Sequence, residues 1–308
     1  MLIKSTLNDE QTMKKLTPII FLSLVAPAYA DIPWTVSGEF EYDHVSVKDG
    51  DTTDDLTKAE IAIAADIDDA VSAELVIAGI DEETDTDSTV DDDLEIDAAT
   101  VSYALSAQNL DFTLGMWGAP VGQFETLSAS DPLALGEVET TRNRGMIVTW
   151  QPADMVTLTA FSGTMDDTAS TNLSGGNIEL ALDMVTINVG QISDTAGDIA
   201  DGALTYALTA GYADFTLMAE GVEMDDTDNT KFTHLELNYA FTAFDLPFTV
   251  GIGQSKQSQD STGDSTQDTI TAAFELSENL SVTIDQTTLE EPGEAEVEQT
   301  SLKVGFAF

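Results

Sequence analysis

Segments of strict two-residue periodicity recur from Trp34 to Phe308, and the connections between them alternate between short and long. This pattern limits the fold more than any other feature. Period two is the signature of a β-strand with one apolar and one polar face. WTVSGEFEY places Trp34, Val36, Gly38, Phe40 and Tyr42 on one face and Thr35, Ser37, Glu39 and Glu41 on the other. KAEIAIAADI does the same with Ala59, Ile61, Ile63, Ala65 and Ile67 against Lys58, Glu60 and Asp66. Runs of this kind predict about sixteen strands, an even number within the range that closed bacterial barrels use.

The short connections are 68–70, 106–109, 151–154, Asp183-Met184, 213–214, 242–247 and 277–279. Between them lie longer stretches at 48–55, 81–93, 118–143, 164–176, 193–202, 224–231, 256–267 and 288–298. Tight turns on one rim and long loops on the other predict an all-β, transmembrane antiparallel β-barrel in the bacterial outer membrane. A soluble sandwich has no reason to sort its loops in this way.

Aromatic residues gather at the short-turn ends: Trp34, Tyr103, Phe112, Trp150, Tyr212, Phe215, Phe241, Phe248, Phe274 and Phe308. An interfacial girdle would place them there. The sequence ends inside an alternating run, Leu302, Val304, Phe306 and Phe308. This predicts that the last strand pairs with the first, leaving no edge open in lipid. A terminal aromatic at Phe308 is also the kind of signal that barrel-insertion machinery reads.

Residues 1–30 read as a signal peptide started at Met13: Lys14-Lys15, an apolar run from Ile19 to Ala26, then Ala28-Tyr29-Ala30. The barrel is expected to occupy 31–308. Charge narrows the function. With 10 basic and 57 acidic residues the net charge is −47, which excludes nucleic acid as a partner. There is no cysteine and only His44 and His234, so neither a disulfide framework nor a thiolate or multi-histidine metal site is expected. No cofactor is implied. Asp225 and Glu236 have the offset of a calcium loop, but Thr227 and Thr230 stand where a carboxylate and the turn glycine belong. The acidic loops read instead as a solvated surface that faces outer-membrane lipid and lipopolysaccharide.

The polar faces of the strands are acidic too. Glu39, Glu41, Glu60, Asp66, Glu74, Glu95, Asp97, Glu179, Glu236, Glu275 and Asp285 stand against Lys58 and Lys303. If that face lines water, it concentrates cations and disfavours small anions. Loop 118–143 differs from the others in being apolar. Val121, Phe124, Leu127, Leu133 and Leu135 are poorly suited to open water, so this third outer loop is expected to fold into the barrel and narrow it. Arg142 and Arg144, the only arginines, sit at its end beside Glu137, Glu139 and Asp131, where they would set a transverse field with Phe124 nearby. A rim-packed loop with paired arginines is the alternative. No Gly-x-Ser-x-Gly elbow or Ser/His/Asp set appears, so an enzyme is not expected.

APVGQFETLSASDPLALGEVET resembles a block of the LbtU-type siderophore porins, which carry Pro, an apolar residue, Gly, any residue and Phe after a strand, followed by Ser-Asp-Pro-Leu. Here these are Pro120, Val121, Gly122 and Phe124, then Ser130, Asp131, Pro132 and Leu133. QISDTAGDIADG, YADFTLMAEGVE and TAAFELSENLSVTIDQ are similar to the same family. The chain departs from it where Asp31-Ile32-Pro33 leads straight into a strand and where Val121 replaces an aromatic. The resemblance implies a TonB-independent channel for ferric siderophore. The alternative is a general diffusion porin for small cationic or neutral solutes. Porins of this size are often homotrimers, although no segment marks a subunit interface.

Overall fold

The computed structural model describes residues 34–48, 50, 52–79, 94–118, 120–121, 143–164, 172–194, 202–226 and 228–308. The predicted signal segment 1–30 therefore lies outside the described residues. Sixteen strands form one closed sheet: β1 Trp34–Val47, β2 Thr52–Asp66, β3 Val71–Gly79, β4 Leu94–Leu105, β5 Leu110–Trp117, β6 Asn143–Ala153, β7 Val156–Thr164 and β8 Asn172–Leu182. The second half comprises β9 Val185–Asp194, β10 Ala203–Tyr212, β11 Phe215–Met224, β12 Lys231–Ala243, β13 Leu246–Gln259, β14 Gly263–Ser277, β15 Leu280–Glu290 and β16 Val297–Ala307. Each strand pairs antiparallel with its sequence neighbours, and β16 closes on β1 from Glu39↔Ala307 to Val47↔Gln299.

The alternation sorts the two faces. On β12, His234, Glu236 and Asn238 are buried while Leu235, Leu237 and Tyr239 are exposed. In a closed sheet, that places the polar set on the interior and the apolar set against lipid. Rings on the exterior of β11 to β14 stack in series: Phe215 on Tyr239 at 4.7 Å, Tyr239 on Phe241 at 5.8 Å, and Phe241, Phe248 and Phe274 at 5.6 Å steps. This is the girdle expected from the sequence, at the short-turn end. A closed barrel that is apolar outside and polar inside places the chain in the bacterial outer membrane.

Several strands run past their predicted ends. The stretch 256–267, expected as a loop, is mostly ladder, since β13 continues to Gln259 and β14 begins at Gly263. Likewise only 48–51, 225–230 and 291–296 separate their strands. Above the membrane both faces of the wall are wet, so apolar alternation disappears while backbone pairing continues. The alternation therefore marks the apolar part of each strand and not its length.

A second group of apolar side chains lies on the interior. Trp117, Val121, Phe161, Leu173, Ile192, Ala203, Val222 and Phe232 form a buried cluster at the long-loop ends of β5 to β12. Those on strands stand on the interior parity, as Val222 shares a face with Glu220 and Phe232 with His234. Trp117 meets Phe161 edge-on at 5.6 Å. Val121, just past β5, reaches β9, where a Cβ added to Gly190 would lie 3.1 Å from Val121 Cγ1.

Candidate functional site

The interior wall is the surface on which a solute would be recognised. Register places Glu39 and Glu41 of β1, Glu60 and Asp66 of β2, and Glu74 of β3 on the interior face. Glu39 and Glu60 are direct cross-strand neighbours, which concentrates negative charge at one point of the wall. Asp97 is the extra residue of a bulge, because Val76 pairs with Ala98 and Ile77 with Ile96. Alternation therefore does not fix its side. Lys303 also faces inward, 3.5 Å from Glu41.

Arg144, placed by the sequence at the end of loop 118–143 with its direction open, lies in β6, which begins at Asn143, so strand parity bears on its direction. Asn143 is fully buried inside. Arg144 is exposed and shares a face with Met146 and Trp150, opposite Met116 and Thr164. Its guanidinium therefore leaves the wall on the exterior. Arg142, Glu137, Glu139, Asp131 and Phe124 lie outside the described residues. His44 pairs with Leu302 on the lipid-facing parity, away from the lumen.

Sequence reasoning missed a buried polar chain on β12 and β13. His234 Nε2 lies 3.2 Å from Glu236 Oε2, and His234 Nδ1 lies 2.9 Å from Ser255 Oγ. Asn238 Nδ2 donates to Glu236 Oε1 at 2.6 Å. A carboxylate only accepts, so Nε2 carries the hydrogen, and in the neutral ring Nδ1 accepts from the Ser255 hydroxyl. Ser, His and Glu in sequence have the composition of a hydrolase relay, but Ser255 is 4% exposed and Glu236 is shared with Asn238. The chain of bonds ties two strands together. The readable signal was the run His234, Glu236, Asn238 alternating with Leu235, Leu237, Tyr239. Glu236→Leu should cost about 2–4 kcal/mol, since two buried N–H donors lose their acceptor. Glu236→Gln should cost less, and urea unfolding from lipid bilayers followed by tryptophan emission measures both.

Asp225 and Glu236 do not share a loop, because Glu236 lies within β12. The calcium spacing is thus coincidental. Instead, Asp226 organises the turn, accepting from the amide of Thr230 at 2.8 Å and from its hydroxyl. Partial burial raises the Asp226 carboxyl pKa. The Thr230 hydroxyl and amide, with the amides of Asp228 and Asp226 itself, outweigh that and hold it below its ordinary 3.8. A carboxyl lowered by folding stabilises fully above 3.8, and that contribution is lost as pH falls through the folded value. Amide-exchange protection of Thr230 should therefore fall on acidification, and Asp226→Asn should abolish the pH dependence.

No family model matches the chain, and no curated protein matches it. Solved structures do. OprB of Pseudomonas putida superposes with a TM-score of 0.66 at 10% identity, covering 90% of this chain and 94% of its own. The trimer form of OmpT, an outer membrane protein of Vibrio cholerae, gives 0.64 at 11%, covering 91% and 100%. An anion-selective porin from Comamonas acidovorans gives 0.64 at 11%, covering 90% and 100%. At such identities the likeness is one of fold.

Proposed function

We propose that the chain is a passive, non-enzymatic porin: a water-filled outer-membrane channel that prefers cations. The observation that carries this reading is the interior wall, where Glu39, Glu41, Glu60, Asp66 and Glu74 face the lumen and Lys303 is held by Glu41. An anion-selective porin shares the fold, so ion preference is a property of wall chemistry and has to be argued from these side chains. Low-dielectric walls focus the field of such carboxylates and raise the local cation concentration.

The constriction in this reading is loop 118–143, folded inward, with Arg142, Glu137, Glu139, Asp131 and Phe124 facing the solute. The position of Val121 against Gly190 and the apolar cluster around it support an inward course. The block Pro120 to Leu133 makes ferric siderophore the specific solute under this reading. An acidic lumen would favour chelates that are neutral or positively charged. A homotrimer is in keeping with the trimeric form of one structural neighbour. Phe308 would be read by the insertion machinery before the barrel closes.

Planar-bilayer recording tests the pore. Under a KCl gradient the reversal potential should have the sign of cation preference, and the preference should weaken as salt screens the wall. Anion preference would overturn the selectivity, and absence of conductance would leave a purely structural barrel. Uptake of labelled ferric siderophore by cells with and without the gene separates the specific pore from general diffusion.

A further inference from the structure

A groove of about 610 Å³ indents the exterior of β11 to β15. Its walls are Leu217, Leu235, Leu237, Ile252 and Ile270, and the stacked rings of the girdle lie below it. Its edge toward the long loops is polar. Gln254 Nε2 donates to Asp268 Oδ1 at 2.6 Å, with Gln286 and Thr288 beside them. These four share the lipid-facing parity with Ile252, Ile270 and Ile284.

The depth of Asp268 is informative. On β14 it stands six residues beyond Phe274, which at about 3.3 Å per residue on a strand tilted by about 40° is roughly 15 Å above the rings. The lipid-facing belt of such barrels is about 25 Å tall. The carboxylate therefore stands in the outer-leaflet half of the belt, next to the wall that is polar on both faces from Ser255 onward, where acyl chains join their headgroups and an incompletely paired charge is costly. The Gln254 bond fills one of about four acceptor positions on a carboxylate. An occupant must bring hydrocarbon for the leucine and isoleucine walls and hydrogen-bond donors for the edge. A phosphate at that edge would be repelled.

We propose that this groove is a lipid site, holding an acyl chain of an outer-leaflet lipopolysaccharide whose hydroxyl or amide N–H donates to Asp268. Outer-leaflet lipid is what surrounds this face, and amide-linked, hydroxylated acyl chains supply donors where the chain joins its headgroup. Simple phospholipid esters do not. The inference rests on membrane location and not on the channel reading.

The test uses the full folded chain, washed in detergent and incubated with equimolar lipid A and phosphatidylglycerol, with bound lipid read by native mass spectrometry. Wild type should retain lipid A at least tenfold over phosphatidylglycerol. Ile252→Trp, which fills the groove, should reduce lipid A retention at least tenfold. Asp268→Leu should keep a bound lipid but lose the preference. Unchanged heat-resistant gel mobility and conductance verify that both variants fold. Equal retention of the two lipids by wild type, normal lipid A retention by Ile252→Trp, or an undiminished preference for lipid A in Asp268→Leu would overturn the proposal. So would a change of oligomeric state with lipid binding intact, which would make the groove a contact between copies.

Discussion

Gly38→Leu should leave most of the chain unable to close its barrel. Gly38 lies on the exterior of β1, and the ring of Phe308 crosses directly over it. A Cβ built there would sit 2.5 Å from Phe308 Cζ and 2.8 Å from the carbonyl oxygen of Glu60. Backbone and ring block it together, so the neighbours cannot yield separately. Displacing the ring breaks its stack on Phe40 at 6.1 Å and the reciprocal bonds between Gly38 and Phe308, 3.1 Å and 3.0 Å. A stacked aromatic pair contributes about 0.5–1.5 kcal/mol beyond burial, and each backbone bond about 1 kcal/mol. The seam loses about 2.5–3.5 kcal/mol. The readout is the fraction of chain that keeps compact, heat-resistant gel mobility after refolding into detergent. Gly38→Ala should be intermediate, and combining it with Phe308→Ala should recover part of the loss. Wild-type closure by Gly38→Leu would show that the seam tolerates a displaced ring.

Replacing Glu39, Glu60 and Glu74 with Gln and Asp66 with Asn, together, should lower the cation-to-anion permeability ratio at least threefold in dilute KCl. All four stand on the interior of three consecutive strands, so their potentials add in one sector of the lumen. At 1 M salt the Debye length is about 3 Å and the difference between variant and wild type should nearly vanish. The control removes charge from the outside. Glu223 and Glu298, on the exterior and paired with Lys231 and Lys48, should leave the ratio unchanged when replaced by Gln. If the exterior pair matters as much as the interior four, the selectivity comes from the loops and mouth and not from the wall.

The alternation made the barrel legible because lipid outside and water inside impose opposite demands on successive residues. Strand number, antiparallel order, girdle and closure at Phe308 all follow from that contrast. Where the contrast ends, so does the signal. The continuation of β13 to Gln259 read as loop, since Ser255 to Gln259 are polar on both faces. Arg144 shows a different limit: the apolar face Met146, Val148, Trp150 was readable, but alternation does not show where a strand starts, so whether that parity extended to Arg144 stayed open. The link from Ser255 to His234 depends on the cross-strand register of β12 and β13, which periodicity alone does not set. Glycine carried information that side-chain patterns could not, because Gly38 and Gly190 matter through what lies on top of them.

The pairing of β16 with β1 also orders events in time. Every other ladder joins neighbours in the chain and can form as a local hairpin, whereas Lys48 and Glu298 meet across 250 positions. Loop-closure entropy makes this contact the slowest to gain. Until it forms, two unpaired strand edges stand ready to template on other copies. Refolding should therefore become a race that concentration decides, with dilute chains zipping onto themselves and crowded ones joining edge to edge.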